Sequence, residues 1–240
     1  MATLTETNIQ TLFDAGAHFG YGRARRHPTA AAYLFGTKDR TDIFDLEETA
    51  RRLATAREFV AALAAKGSQV LFVGGKHEAI REVKAAAERC GEPYVAGRWI
   101  GGSLTNFKGI RKRIERLLKL TSERESGELG KYTKRERLLL DREIEELQAR
   151  FGGLVSMNDL PAALFVVDPR HEATAVKEAN QLGIPVIALA SSDCDFSLVQ
   201  YPIPGNDTSA HSIKLVVDLI AEAYLDGKVH APKAKQGATE

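Results

Sequence analysis

The sequence predicts an α/β fold, in which a parallel β-sheet carries helices on both faces. Short apolar runs alternate with amphipathic helical patterns between residues 59 and 226. Residues 70–73 (VLFV) form one such run, which ends at Gly74 and Gly75, and residues 76–89 follow with apolar side chains at helical spacing. Strands that alternate with helices in this way are typical of parallel sheets.

The other elements of the sheet follow the same alternation along the chain. Further strands are predicted at residues 93–96, 162–167 and 185–190. Further helices are predicted at residues 172–182 and 209–224. These two helices end near Gly183 and Gly227, because glycine commonly follows the last turn of a helix.

Residues 108–150 interrupt the alternation of strands and helices, because they contain two helical patterns and no strand signal. The apolar positions of the first pattern are Ile110, Ile114, Leu117 and Thr121, and those of the second are Leu140, Ile144, Leu147 and Phe151. A glycine-containing turn at residues 126–130 separates them. We expect an antiparallel helical hairpin with a coiled-coil seam, inserted between two strands of the sheet. For the outer half, a pair of solvated charged helices without a partner is the alternative.

The chain therefore divides into three parts. Residues 1–102 and 151–226 form a discontinuous α/β core, residues 103–150 form the protruding hairpin, and residues 227–240 form a flexible tail. Glycine pairs at 101–102 and 152–153 mark the two ends of the insertion.

Composition indicates a soluble protein. The 240 residues carry a net charge of +1, 27% are charged, and no apolar run approaches the roughly 18 residues of a membrane span. Two cysteines, Cys90 and Cys194, are too few for a disulfide scaffold, so we expect a reducing cytosol.

Positive charge is concentrated in two stretches that suit a phosphate backbone. The first is a loop at residues 20–28 with the candidate polyanion-binding residues Arg23, Arg25, Arg26 and His27. The second begins at Arg98 and continues into a helix, in which residues 108–119 have six basic side chains against one Glu. Its candidate polyanion-binding residues are Arg98, Ser103, Asn106, Lys108, Arg111 and Lys112.

The start of the second stretch also predicts a structural junction between sheet and hairpin. Trp99 is the single tryptophan of the chain. It either stacks on a base or packs the hairpin onto the sheet, and packing is favoured beside Ile100. Gly101 and Gly102 allow a sharp turn at this position.

The sequence motifs give little support to an enzymatic function. Gly75 and Lys76 suggest a phosphate loop, but its first glycine would fall at Val70 and His77 replaces the Ser or Thr. Gly20 and Gly22 suggest a dinucleotide fingerprint, whose third glycine position is Arg25. A small-ligand or nucleotide-binding α/β enzyme that uses Lys76 at the carboxyl edge of the sheet remains the alternative.

Polar residues near the strand ends are the candidates for acid–base catalysis or metal binding. The first residues to examine are His18, Asp193, Asp195 and Asp207. Aspartates at strand ends and helix starts are usually caps and turn formers, and no His and Cys spacing resembles a zinc site. The sequence therefore predicts no catalytic residue, no metal site and no cofactor.

Five segments together resemble the bacterial ribosomal protein S2 family, and they occur in that family's order. They are FDAGAHFG at 13–20, RWIGGSLTN at 98–106, ALFVVD at 163–168, KEANQLGIP at 177–185 and YPIPGND at 201–207. The resemblance covers roughly residues 8–226 and implies a non-enzymatic protein of the small ribosomal subunit. It also implies a flavodoxin-like core, a protruding hairpin, no small-molecule substrate and a cytoplasmic, ribosome-bound location. The implied partners are 16S ribosomal RNA between head and body, neighbouring small-subunit proteins, and protein S1.

The chain departs from this family's pattern at several positions. Tyr21 replaces a second histidine, and Arg26 and His27 stand where the family has Trp and Asn. Residues 191–196 read SSDCDF instead of DTNCDP, and Thr208 replaces an aspartate. The resemblance therefore transfers RNA binding to the basic loop and hairpin base, with no metal and no catalytic role.

Overall fold

The computed structural model describes residues 9–230, and its N-terminal part contains a small antiparallel sheet. Helix α1 (Ile9–Asp14) precedes strands β1 (Phe19–Gly22), β2 (Leu34–Lys38) and β3 (Thr41–Phe44), which pair in the order β1-β3-β2. Asp39 and Arg40 form the tight turn from β2 to β3, and both have the positive φ of such turns. The sequence predicted a loop at residues 20–28, where the structure has part of strand β1. This strand is short and contains glycine, so it lacks the clear alternation of apolar and polar residues that predicts a strand.

A second, five-stranded parallel sheet follows, and it confirms the predicted fold class. After helix α2 (Leu46–Ala65), its strands are β4 (Val70–Val73), β5 (Tyr94–Val95), β6 (Ala163–Val167), β7 (Val186–Ala190) and β8 (Tyr201–Pro204). Their order is β5-β4-β6-β7-β8, which is consistent with a flavodoxin-like fold. All of these strands are parallel, and the direction in which successive strands are added to the sheet reverses between β4 and β6. Helix α2 and strand β8 were not predicted as elements from the apolar pattern.

Five more helices surround the sheet or extend from it. They are α3 (His77–Cys90), α4 (Phe107–Glu125), α5 (Lys134–Phe151), α6 (Ala173–Gln181) and α7 (Ala210–Val229). Alternate strand residues point to opposite faces: Phe72 and Phe165 pack against α2, α3 and α7, whereas Leu71 and Leu164 belong to the buried cluster that contains α6. The sheet is therefore covered on both faces.

Helices α4 and α5 pack on each other and are joined by residues 126–133. The side chains buried at this contact are Ile110, Ile114, Leu117, Leu120, Ile144, Leu147 and Phe151. Across this contact the guanidinium of Arg116 donates to the carboxylate of Glu143 at 3.0 and 3.1 Å. Leu120, not the expected Thr121, is buried. Coiled-coil geometry stays a prediction, as does the division into three parts.

The C-terminal helix extends beyond the predicted boundary. Helix α7 ends at Val229, so the first residues of the predicted tail at 227–240 are helical. Gly227 is required there, because a Cβ atom would lie 2.3 Å from the carbonyl oxygen of Ala61 on α2. Residues 231–240, which complete that tail, lie outside the described residues.

None of the helices within residues 9–230 combines the length and the apolarity that a membrane span requires.

Candidate nucleic-acid interface

The small antiparallel sheet is attached to the carboxyl edge of the parallel sheet. The backbone N–H of Tyr21 donates to Ser192 Oγ at 2.9 Å, and that of His27 donates to the Ser192 carbonyl at 2.8 Å. Ser192 is the second residue after the end of β7. The basic segment around residue 25 therefore lies at the edge where parallel sheets usually bind ligands.

Four exposed cations gather at one end of the small sheet, and we call them the N-terminal basic surface: Arg23, Arg25, Lys38 and Arg40. The N–H of Arg23 donates to the carbonyl of Arg40 at 2.9 Å. Gly22 and Lys38 both pair with Thr41, so these side chains start from neighbouring backbone positions. The Arg25 guanidinium lies over the Tyr21 ring at 5.6 Å. This surface presents several charges to one partner.

Arg26 and His27 are held by the protein itself. Arg26 donates to Thr37 Oγ1 and forms a bidentate ion pair with Asp42, whose side chain is fully buried. The hydrogen bonds from Arg26 hold the pKa of Asp42 below its ordinary value. The ring Nδ1 of His27 caps the following 3₁₀ helix by accepting from the Thr29 N–H. Arg26 therefore already serves a buried carboxylate of the protein, and RNA binding through Arg26 and His27 stays a prediction.

The second basic stretch surrounds the base of the hairpin, and we call its exposed residues the hairpin-base surface: Arg98, Asn106, Lys108 and Lys112. Within residues 9–230, no ion pair or hydrogen bond engages the Arg98, Lys108 or Lys112 side chains. These three charges are available to an external anion.

Two other predicted contact residues of this stretch are used internally. Ser103 is buried and donates to the Ile100 carbonyl at 2.6 Å. Arg111 is half-buried and donates to the Met157 carbonyl at 3.2 Å, which ties α4 to the segment after α5. Ser103 therefore contributes to the loop's shape, and we leave both residues out of the hairpin-base surface.

Trp99 and the glycines after it form a loop that a buried carboxylate organises. The carboxylate belongs to Glu178 of α6, which is 7% exposed. It accepts hydrogen bonds from Trp99 Nε1 at 3.1 Å, from the Gly102, Leu104 and Thr105 N–H groups at 2.8 to 3.1 Å, and from Thr105 Oγ1. Trp99 is buried, and Gly102 has the positive φ of 88° that the turn requires. One side chain thus fixes residues 99–105.

The hydrogen bonds also keep Glu178 charged. Burial by itself would raise the pKa of Glu178, but the bonds from Thr105, Trp99 and the other donors lower it below its ordinary value. The motif-based prediction missed this residue. The available signal was a glutamate between Val176 and Ala179, on the apolar face of a short helix.

Lys76 lies in a buried ionic cluster at the carboxyl edge. Its ammonium is 3.2 Å from Tyr21 Oη, 3.2 Å from Asp168 Oδ2 and 3.4 Å from Asp207 Oδ1. Burial and the neighbouring Asp168 charge raise the pKa of Asp207 to about 8. Burial would lower the pKa of Lys76, but Asp207 and Asp168 raise it instead. The cluster thus holds one ammonium and one carboxylate charge, with Asp207 protonated near neutrality.

The same cluster contains the metal-donor atoms that come closest together within residues 9–230. Single donor atoms of Asp168, Cys194 and Asp207 lie within 4.8 Å of one another. The Lys76 ammonium already lies beside the oxygens of both Asp168 and Asp207, and burial raises the pKa of the Cys194 thiol. A metal would need a thiolate and would compete with Lys76, so the donor set does not fit one.

Of the other metal candidates from the sequence, Asp193 reaches the edge of this cluster, where the Cys194 thiol donates to its Oδ1 at 3.6 Å, whereas Asp195 and His18 take part in other contacts. Asp193 binds Arg170 at 2.6 Å, and Asp195 accepts from the Ser197 N–H at 2.9 Å. His18 stacks on Phe13 with ring centroids 4.5 Å apart, and burial lowers its pKa. Each of these side chains has an ordinary structural role.

The turn after β4 does not provide a phosphate cradle. The Gly75 N–H donates to the buried carboxylate of Glu172 at 3.0 Å. A phosphate group at that position would therefore meet a carboxylate in place of a free amide. A Cβ at Gly75 would come within 2.4 Å of the Gly97 carbonyl oxygen, so the glycine serves close packing of two loops. This geometry argues against the alternative of a nucleotide-binding enzyme.

Comparisons with known proteins agree with the resemblance in the sequence. The family model described as ribosomal protein S2 matches residues 12–227. The small ribosomal subunit protein uS2 of Roseiflexus sp. (strain RS-1) is 44% identical over 221 residues, which are 92% of this chain and 84% of that protein. The uS2 protein of Paramagnetospirillum magneticum (strain ATCC 700264 / AMB-1) is 45% identical over 219 residues, which are 91% of this chain and 82% of that protein.

Proposed function

Because the chain belongs to the ribosomal protein S2 family, we propose that its two basic surfaces bind 16S ribosomal RNA between the head and the body of the small subunit. Its role in translation is structural, not enzymatic. We place the protein on the ribosome in the cytoplasm, with ribosomal RNA and neighbouring small-subunit proteins as partners.

The observation that carries this proposal is the position of both basic surfaces beside one edge of the sheet. Arg98 follows β5, and the small antiparallel sheet is bound to the end of β7. The loop after β6 lies between them. Its Arg170 lines one cavity together with Arg25, and its His171 lines another cavity together with Arg98. A folded RNA can therefore contact both surfaces at once, mainly through phosphates.

The hairpin gives the protein a second region of contact away from the core. A helix of 19 residues such as α4 is about 28 Å long, at 1.5 Å per residue. The hairpin-base surface lies at its start, and the buried apolar contact with α5 holds the two helices together along this length. This reach supports a position that joins two parts of the subunit.

Docking of protein S1 is the second part of the proposal, and exposed aromatic side chains on the small sheet support it. Phe35 is 82% exposed, and Phe19 is also exposed. Phe19 pairs with Ile43 from one side of β3, and Phe35 lies in the irregular pairing of β2 on the other side. Exposed aromatic residues are characteristic of protein interfaces, and phosphates alone would not require them.

RNA binding is tested with small subunits that lack this protein, to which the full-length chain is added at several salt concentrations. We expect the double variants Arg23→Ala with Arg25→Ala, and Arg98→Ala with Lys108→Ala, to bind less tightly. Each lost phosphate contact should reduce the slope of log affinity against log salt by about 0.7 to 0.9.

The matched control removes two exposed cations from other parts of the core, Lys66 and Arg81. It changes the net charge equally, and we expect wild-type affinity and salt slope. Equal binding by the control and by both basic-surface variants would contradict the proposal.

For S1, Phe35→Ser should abolish recruitment of S1 and leave RNA occupancy unchanged.

A further inference from the structure

A cavity of about 530 Å³ lies at the carboxyl edge of the sheet, beside the hairpin-base surface. Its lining includes Arg98, Trp99, Gly101, His171, Glu172 and Thr174. The Gly75 turn after β4 and the β6–α6 loop both border it, so it is at the point where the strand order reverses. Its volume is within the range of about 300 to 1,000 Å³ that small-molecule-sized groups occupy in proteins.

Buried carboxylates hold both walls of this cavity in place. On one wall Glu172, which is 3% exposed, accepts from the Gly75 N–H at 3.0 Å and contacts His171 Nδ1 at 2.8 Å. On the other wall, Glu178 holds Trp99 and Gly102. The cavity is therefore preformed, and a ligand does not have to order it.

The side chains at the mouth are free to bind. Within residues 9–230, the Arg98 guanidinium has no anionic partner, and His171 uses only Nδ1 for the protein. Thr174 is exposed in the first turn of α6. A cation, an imidazole and a hydroxyl thus surround an opening large enough for a base and its ribose.

We propose that this cavity binds one unpaired nucleotide of the RNA that the basic surfaces contact, an inference that rests on the proposed function. Arg98 pairs with the phosphate, and His171 and Thr174 hydrogen-bond the base or ribose. RNA-binding proteins commonly recognise such splayed-out nucleotides by stacking and edge contacts. A free nucleoside diphosphate or triphosphate fits less well, because the Glu172 carboxylate occupies the amide at which a phosphate chain would bind.

The test compares Thr174→Glu with Thr174→Gln in the full-length chain. Glutamate has the shape of glutamine but places a negative charge at the cavity, and in the first turn of α6 that charge favours the helix. Thermal unfolding should show that both variants fold. Each protein is added to small subunits that lack it, and the reactivity of every 16S RNA nucleotide toward a chemical probe is measured.

We expect wild type and Thr174→Gln to protect one unpaired nucleotide, whose reactivity returns to that of protein-free RNA with Thr174→Glu while the rest of the footprint persists. An identical footprint for both variants would overturn the cavity proposal alone. A wild-type protein without any footprint would overturn the proposed function itself.

A second measurement distinguishes a free ligand from the RNA. Trp99 is the only tryptophan and borders the cavity, so its fluorescence reports occupancy. Adenosine monophosphate and uridine monophosphate should not saturate the isolated protein at micromolar concentration, because a single nucleotide lacks the neighbouring phosphates that the basic surfaces bind. Saturation by either one at micromolar concentration, lost in Thr174→Glu, would assign the cavity to a free nucleotide and overturn the proposal.

Discussion

Glu178 is a charged residue whose whole hydrogen-bonding capacity serves a loop 70 or so positions earlier in the chain. Its carboxylate accepts five hydrogen bonds from residues 99–105. Such charge-assisted bonds are stronger than neutral ones, and donors left without an acceptor inside a protein are costly. The geometry of the hairpin base therefore depends on one side chain of a different helix.

Replacement of Glu178 by Gln should loosen this loop, because the amide NH₂ would face N–H donors in place of an acceptor oxygen. We expect a loss of about 2 to 3 kcal/mol in the free energy of unfolding. Urea titration measures the loss, and the single indole N–H resonance of Trp99 should shift. Glu222→Gln, at an exposed position on α7, is the control and should change neither. Unchanged stability and an unshifted indole resonance in Glu178→Gln would contradict this role.

Truncation of the neighbouring residues Arg25 and Arg26 should have different effects on the stability of the protein. Arg26→Ala leaves the buried Asp42 carboxylate unpaired, so we expect about 3 kcal/mol of destabilisation. Arg25→Ala removes an exposed side chain, and stability should change by less than about 0.5 kcal/mol while RNA affinity falls. Chemical denaturation and subunit binding of both variants check this. If Arg25→Ala proved the less stable variant, our assignment of the two arginines would be wrong.

At the scale of elements, the hairpin depends on a contact between two highly charged helices. Helices α4 and α5 each bury one narrow stripe, which is continuous with the buried cluster beneath the sheet that includes Leu164. The periodicity of Ile110, Ile114 and Leu117 was sufficient to predict this stripe, because a helix of period 3.6 can bury only one face. The small N-terminal sheet was not predictable in this way, since its strands lack local alternation and its edge strand β1 is anchored by a contact with the distant Ser192.

Truncation of a side chain within this buried stripe should lower the free energy of unfolding far more than truncation of a side chain beside it. Ile114 is fully buried between the helices, whereas Leu118, one turn further, is 44% exposed. We expect Ile114→Ala to lower the free energy of unfolding by about 3 kcal/mol and Leu118→Ala by less than about 0.5 kcal/mol. Thermal or urea unfolding of both variants measures the difference. Comparable losses would mean that the two helices do not pack as described.

At the scale of the whole molecule, the carboxyl edge of the sheet gathers residues from distant parts of the chain. Tyr21, Lys76, Asp168 and Asp207 come from four separate segments and meet in one buried ionic cluster. This cluster joins the small sheet to the parallel sheet. Its protonation should therefore affect the stability of the entire fold.

The pH dependence of stability should reveal the proton on Asp207. Burial and Asp168 raise its pKa from an ordinary value of 3.8 to about 8, so between these values the native state holds a proton that the unfolded state releases. The free energy of unfolding should then fall as pH rises from about 4 to about 8, by at most about 1.4 kcal/mol per pH unit.

Asp207→Asn removes this proton and should flatten that decline, with the largest gain in stability relative to wild type above pH 8. Urea titrations at several pH values measure the profile. The exposed Asp159→Asn is the control and should keep the wild-type slope. A wild-type slope in Asp207→Asn would show that another group carries the proton.

Local patterns predicted the alternating strands and helices of the sheet, the paired hairpin helices and the two basic stretches, because periodicity and charge are properties of neighbouring residues. Tertiary structure alone decided which cations are free: Arg26 is bound to Asp42, whereas Arg98 is without an anionic partner among residues 9–230. It also decided that Glu178 shapes the loop at Trp99 and that Lys76 pairs with the buried Asp168 beside Asp207. These outcomes depend on distances between segments far apart in the chain, and no local pattern contains them.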